Sequence, residues 1–180
     1  MNIAVFASGT GTTLQNLIDH QAQYNYRVAL VVTNRECTAI ERAANHRIPT
    51  LQTKDWELID KALTDNQIQL IVLAGFLAII PARICQKWEK RIINIHPSLL
   101  PKFGGKGMYG IRVQEAVLAA GEKEAGCTVH YVSAEVDGGS IIAQATIIVE
   151  PNDTAETLSH RVQQAEKDLL LKVIGNLLKN

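Results

Sequence analysis

The chain has 180 residues, 47% of them hydrophobic and 20% charged, with eighteen basic residues balancing eighteen acidic ones. That length suits one domain with its own core and no staples. A formal charge of zero with no run of Lys and Arg argues against a nucleic-acid partner, and the longest apolar run, Leu70 to Ala82, is too short to cross a membrane as a helix.

The opening "MNIAVFASG" has no basic segment ahead of a long apolar core and no cleavage site, so it does not read as a signal peptide and a cytoplasmic protein is expected. "IAVFA" is a short apolar strand and "SGTGTT" a turn. "LQNLIDHQAQ" places Leu14, Leu17 and Ile18 at helical spacing. "VALVVT" predicts a second strand, and Thr38 with Glu41 has the spacing of a capping box opening a second helix.

A short strand "IPTLQ", a helix from about Asp55 to Asn66, a strand "QLIVLAG", a Pro-started helix "PARICQKWEK" and a strand "RIINIH" continue the alternation. Strands that are apolar throughout point to a mostly parallel α/β sheet with helices on both faces. After Gly110 come one helix, "IRVQEAVLAAG", two strands, "CTVHYV" and "SIIAQATIIV", and a last helix from about Thr154, which predicts an antiparallel or mixed extension of the sheet. In that helix Leu158, Val162, Ala165, Leu169, Val173 and Leu177 form one apolar stripe. Cys37, Cys85 and Cys127 are scattered and odd in number, so they are read as reduced packing residues, with neither disulfide nor metal site expected. No linker divides the chain, and residues 1–180 are expected to form a single domain.

Two stretches carry candidate chemistry. In "SGTGTT" the backbone N–H groups of Gly11, Thr12 and Thr13 and the helix dipole converge where an anion would sit. A tight turn without ligand, a monophosphate and a dinucleotide all remain open, with the monophosphate ahead. The third glycine of the dinucleotide fingerprint is Leu14, and no Walker lysine is present.

In "NIHPSLLP" the side chains of Asn94 and His96, two apart on a strand, project from one face at a strand's C-terminal end. An amide that donates to a developing oxyanion, next to an imidazole that carries a proton, suits acyl-type transfer. Pro97 and Pro101 restrict the backbone that follows. Asp137, in "EVDGG", is either a plain turn residue or a carboxylate that orients His96 and raises its pKa. Ser98 has no nucleophile elbow around it.

Together, "NIHPSLLP", the later "DGG", "SGTGTT" and "VLAGF" resemble the folate-dependent formyltransferase family, in particular the phosphoribosylglycinamide formyltransferases, over nearly the whole chain. The resemblance implies a Rossmann-like formyltransferase domain. It also implies small-molecule substrates, 10-formyltetrahydrofolate and glycinamide ribonucleotide, without metal, nucleic acid or membrane, in purine biosynthesis. Asn94 would bond the formyl oxygen, His96 would act as general acid, and Asp137 would raise the His96 pKa. Gly11, Thr12 and Thr13 would hold the phosphate and Glu166 would contact the ribonucleotide. Phe76, Leu77, Ala78, Ile79 and Ile80, with Asn94, would hold the folate.

His130, on the strand "TVHYV", is either a supporting partner or a packed strand histidine, and Glu166 is alternatively a solvated helix residue. Thr12 and Thr13 stand where the family more often has Ser-Asn, and Ala78 where many members have Arg. "KFGGKGMYG", with Lys106, departs from the family's shorter loop and reads as a mobile lid or a plain surface loop. Sister families deliver the formyl group to methionyl-tRNA or to water, but they carry an RNA-binding or a regulatory domain that this pattern does not suggest. A nucleotide-sensing module without catalysis would leave the Asn-His pair unexplained. The oligomeric state is open, with a homodimer compatible.

Overall fold

The computed structural model describes residues 1–178. The elements follow the expected alternation: β1 (Asn2–Ala7), α1 (Thr12–His20), β2 (Arg27–Thr33), α2 (Thr38–Asn45), β3 (Thr50–Gln52), α3 (Trp56–Asp65), β4 (Leu70–Leu73), α4 (Ala82–Lys87), β5 (Ile92–His96), α5 (Ile111–Ala119), β6 (Glu124–Tyr131), β7 (Ile141–Ile148) and α6 (Ala155–Leu177). Seven strands pair in the order β3-β2-β1-β4-β5-β6-β7. The chain forms two compact units, Met1–Ile93 together with the chain from Ile174 onward, and Asn94–Val173.

In the first unit β1 lies between β2 and β4, parallel to both, and β2 pairs parallel with β3. Ile3 to Ala7 and Leu70 to Leu73 are buried throughout, as expected of strands covered on both faces. β4 stops at Leu73, two residues short of the predicted end, because Gly75 turns the chain at φ +70°. In the second unit β6 and β7 form an antiparallel pair, the extension expected after Gly110.

Four local expectations need correction. The α2 N-cap is Cys37, Thr38 is already helical, and no side chain caps that end, so there is no capping box. Cys37 is accordingly half-buried at a helix end and not a core packing residue, whereas Cys85 and Cys127 are buried as expected. Pro81 is the N-cap of α4 and the helix ends at Lys87, since Trp88 leaves helical geometry. The buried stripe of α6 includes Leu158, Val162, Leu169 and Val173, but Ala165 and Leu177 are only half-buried, while Leu170, Leu171 and Ile174 are buried as well. A helix buried on more than one side shows a broader face than its heptad-like spacing announces.

Candidate active site

The glycine turn lies between β1 and α1. Gly11 is the α1 N-cap in the left-handed region (φ 71°), and a Cβ there would meet the Cα and Cβ of Ala39 at 2.9 Å, so only glycine fits. The carbonyls of Ser8, Gly9 and Thr10 are each occupied, by Arg35 Nε (2.7 Å), Ala39 N (3.2 Å) and Arg42 Nε (2.7 Å) respectively. With three successive oxygens drawn to donors on the β2–α2 side, the first-turn amides of α1, which no helix carbonyl can satisfy, remain available to an anion.

Within the same unit, the segment Phe76–Ile80 follows β4. The Phe76 ring packs edge-on against Phe6 (5.2 Å between centroids) and Trp56 (6.4 Å), and the Leu77 amide donates to Ser8 Oγ at 3.0 Å. Leu77 and Ile79 are left 49% and 66% exposed, so the segment has a fixed backbone and a bare apolar face; Ala78 is half-buried and Ile80 buried.

The second unit gathers the polar candidates. Asn94 and His96 close β5, and Asp137 sits on the β6–β7 turn with φ 55°. Glycine is needed beside it, because a Cβ on Gly139 would lie 1.7 Å from the Tyr131 carbonyl oxygen. His96 Nδ1 is 3.6 Å from Asp137 Oδ2, and His130 Nε2 is 3.6 Å from Asp137 Oδ1. The His130 Nδ1–H donates to the Tyr131 carbonyl (2.9 Å), and the Asn94 amide nitrogen lies 3.1 Å from Nε2, to which it donates when that nitrogen carries no proton. That bond fixes which way the Asn94 amide points and leaves its second N–H uncommitted. His130 is therefore a buried member of the cluster, the supporting alternative of the two open from sequence.

The working nitrogen of His96 follows by the same accounting. Its Nε2–H donates to the Phe103 carbonyl at 2.9 Å. Nδ1 is thus the nitrogen free to gain or lose a proton, and it faces a carboxylate. Asp137 Oδ2 also accepts from the Gly105 amide at 2.9 Å. Phe103 and Gly105 contribute backbone groups, and Phe103 reaches His96 with φ 55°, an unusual conformation for a bulky residue.

Four side chains hold this stretch in place. Gln114 Nε2 donates to the Pro97 carbonyl (2.7 Å), Thr128 Oγ1 to that of Ser98 (2.6 Å), Ser98 Oγ to that of Lys102 (2.7 Å) and Gln144 Nε2 to that of Leu100 (3.0 Å). Ser98 is a strut of the loop. None of Phe103, Gly105, Gln114, Thr128 or Gln144 was visible in the sequence as part of the site, since backbone groups and neutral amides leave no motif.

Asp137 acts on His96 in the expected direction, but burial outweighs it. Burial pushes the His96 imidazole down, and Asp137 and the Phe103 carbonyl, which pull it up, recover only part, so its pKa lies below the ordinary value. Asp137 raises His96 without raising it past normal. For Asp137 itself burial pushes upward, but His130, His96 and the Gly105 amide together hold the carboxyl below the usual range.

Glu166, on α6, is not a solvated helix residue. It is half-buried, and burial pushes its carboxyl up to about 7 although Lys167 pulls the other way. Lys106 lies exposed in the loop before α5. Among the described residues no cluster of His, Cys, Asp and Glu has the makings of a metal site, and no helix is long and apolar enough to cross a membrane.

A glycine turn before α1 and an exposed apolar segment after β4 in the first unit, and a buried Asn-His-Asp group in the second, are the features of a group-transfer enzyme. The sequence profile of the formyl transferase family matches residues 1–174, and the chain belongs to that family. It is 40% identical to the chloroplastic phosphoribosylglycinamide formyltransferase of Arabidopsis thaliana over 96% of this chain and 64% of the relative. It is 42% identical to the trifunctional purine biosynthetic protein adenosine-3 of Drosophila melanogaster over 91% of this chain and 13% of that one. The chain thus spans less than two thirds of the length of these curated relatives. Among solved structures, phosphoribosylglycinamide formyltransferase from Bacillus halodurans superposes with a TM-score of 0.90 at 34% identity, over 99% of this chain and 95% of that one. The enzyme from Anaplasma phagocytophilum gives 0.89 at 37% identity, over 97% and 85%.

Proposed function

We propose that this chain transfers the formyl group of 10-formyltetrahydrofolate to the amine of glycinamide ribonucleotide, a step of purine biosynthesis, with residues 1–180 working as a single formyltransferase domain. The observation that carries the reading is the buried group in which His96 Nε2 is spent on Phe103 while Nδ1 faces Asp137. The similar phosphoribosylglycinamide formyltransferases support the acceptor, and the resemblance to the folate-dependent family supports the donor.

In this reading the amine nitrogen attacks the formyl carbon directly. The free N–H of Asn94 and a proton on His96 Nδ1 steady the negative charge that develops on the formyl oxygen. Collapse breaks the bond to the folate nitrogen, which takes up a proton as the amine gives one up. Asp137 favours the protonated imidazole and so offsets part of what burial removes. Gly11, Thr12 and Thr13 hold the phosphate through N–H groups, Glu166 contacts the ribonucleotide, and the Phe76–Ile80 segment with Asn94 receives the pterin. The loss of Arg at Ala78 leaves that contact to backbone groups. The protein acts on small molecules in the cytoplasm, and sedimentation of the purified chain tests whether it does so as a homodimer.

The test is the rate of formyl loss from 10-formyltetrahydrofolate, followed by absorbance, with and without glycinamide ribonucleotide. A rate that requires the ribonucleotide and yields its formylated product supports the proposal. A rate indifferent to it identifies a hydrolase, and no turnover in either case removes the assignment.

A further inference from the structure

Ser8 is 1% exposed and uses every polar atom it has. Its hydroxyl donates to Asn34 Oδ1 (2.7 Å) and accepts from the Leu77 amide (3.0 Å). Its own amide donates to the Gly75 carbonyl (3.2 Å), and its carbonyl accepts from Arg35 Nε (2.7 Å). One residue therefore joins the start of the glycine turn to both ends of the bend that leads into Phe76–Ile80.

The hydroxyl has one proton, and Asn34 Oδ1 takes it. A lone pair is thereby aimed at Leu77 N–H, so the Asn34 contact sets the rotor that holds the segment. On the other side the Phe76 ring is set against Phe6 and Trp56. Ring and amide are two fixed points, and between and beyond them the exposed side chains of Leu77 and Ile79 stand on a backbone that does not depend on them.

We propose that Ser8 is a positioning residue shared by the glycine turn and the Phe76–Ile80 segment, and that through it the phosphate ester and the folate bind cooperatively. This rests on the assignment of the phosphate to the turn and the pterin to the segment. Each ligand holds one side of Ser8 in its bonded arrangement, the anion through the turn amides and the folate through the Leu77 segment, so binding of either favours the arrangement that the other needs. The coupling is reciprocal, each ligand tightening the other by the same factor. One hydrogen bond of ordinary net strength corresponds to a factor of about five.

The experiment uses tetrahydrofolate, which has no formyl group to lose, titrated calorimetrically into the full chain with and without saturating glycinamide ribonucleotide. The wild type is expected to bind tetrahydrofolate about fivefold more tightly in the presence of the ribonucleotide. Ser8→Ala is expected to bring that ratio to about one with little change in melting temperature, since water can reach the half-exposed Leu77, whereas Ser8→Thr, which keeps the hydroxyl, retains it. If Ser8→Ala does not fold, Asn34→Ala, which frees the hydroxyl to turn away from Leu77, is expected to lower the ratio in the same direction. A wild type without coupling, or a folded Ser8→Ala or Asn34→Ala with the full ratio, overturns the proposal while leaving the substrate assignment standing. A wild type that binds neither ligand overturns both.

Discussion

Between Met1 and Ile93 the groups offered to a ligand are turn amides and apolar side chains at strand ends, whereas between Asn94 and Val173 they are polar side chains taken out of water. The first unit has a parallel core in which Ile3, Val5, Leu14, Ile71 and Val72 are buried, and its candidate surfaces are what that core leaves uncovered. The second unit buries His96, Ser98, Gln114, Thr128 and His130, and each makes a hydrogen bond, although Gln114 Oε1 has no partner. Burying such groups costs free energy unless they are paired, so their pairing fixes one geometry sharply. In the proposed function the first unit contributes recognition by shape and backbone, and the second adds the desolvated polar group and the Glu166 contact.

The comparison predicts opposite kinetic signatures. His96→Ala should lower kcat by about 10²–10⁴, and Asn94→Ala by about 10²–10³, with ribonucleotide affinity nearly unchanged. A large loss of affinity instead would make Asn94 and His96 binding residues for the ribonucleotide as well. Asp137→Asn removes a charge that raises the His96 pKa. The protonated imidazole then becomes scarcer at neutral pH, and the inflection of kcat/KM assigned to it should move to lower pH. An unmoved inflection would take Asp137 out of the proton balance.

Glu166→Gln sharpens the contrast in stability. The folded carboxyl is raised to about 7 from an ordinary 4.5, so the neutral acid is the stable buried form. Its contribution is fully present below about pH 4.5 and is lost as pH rises through about 7. The unfolding free energy at pH 8, read from denaturant titration, should rise for Glu166→Gln by on the order of 1–3 kcal/mol, with no gain at pH 4.

In the first unit, Gly11→Ala should destabilise by about 1–3 kcal/mol and raise the KM for the ribonucleotide, since φ 71° and the approach of Ala39 at 2.9 Å both oppose a side chain. Smallest of all, Lys61→Ala breaks an exposed pair with Asp65 (2.6 Å) and should shift the unfolding free energy by less than about 0.5 kcal/mol.

The same division governs what could be read in advance. Apolar strands and helical spacings announce themselves, and every predicted element is present, because burial leaves a periodic mark. The Asn94-His96 pair was legible from its place at a strand end, whereas the glycine turn left Asp137 open between a plain turn residue and a partner of His96, a choice only the family resemblance made. Phe103 was not, because a backbone carbonyl has no identity in a sequence. Gln114 and Gln144 were not, because a neutral amide on a helix or strand is usually exposed. That Asp137 raises the His96 pKa was legible, but the net shift was not, because a nearby carboxylate is visible as a letter while the depth at which it meets the imidazole is not.

The bond from His96 Nε2 to the Phe103 carbonyl also bears on how this protein tolerates redesign. Its acceptor belongs to the main chain, so no exchange of one side chain for another at position 103 deletes it. What the loop must preserve is its trace: left-handed at Phe103, with Gly105 N–H directed to Asp137. A library randomised at exposed Lys102 and Lys106 should accordingly yield many active sequences, whereas removing a single residue between Pro101 and Gly105 should yield none. The His96 imidazole is, in that sense, addressed by chain length before it is addressed by composition.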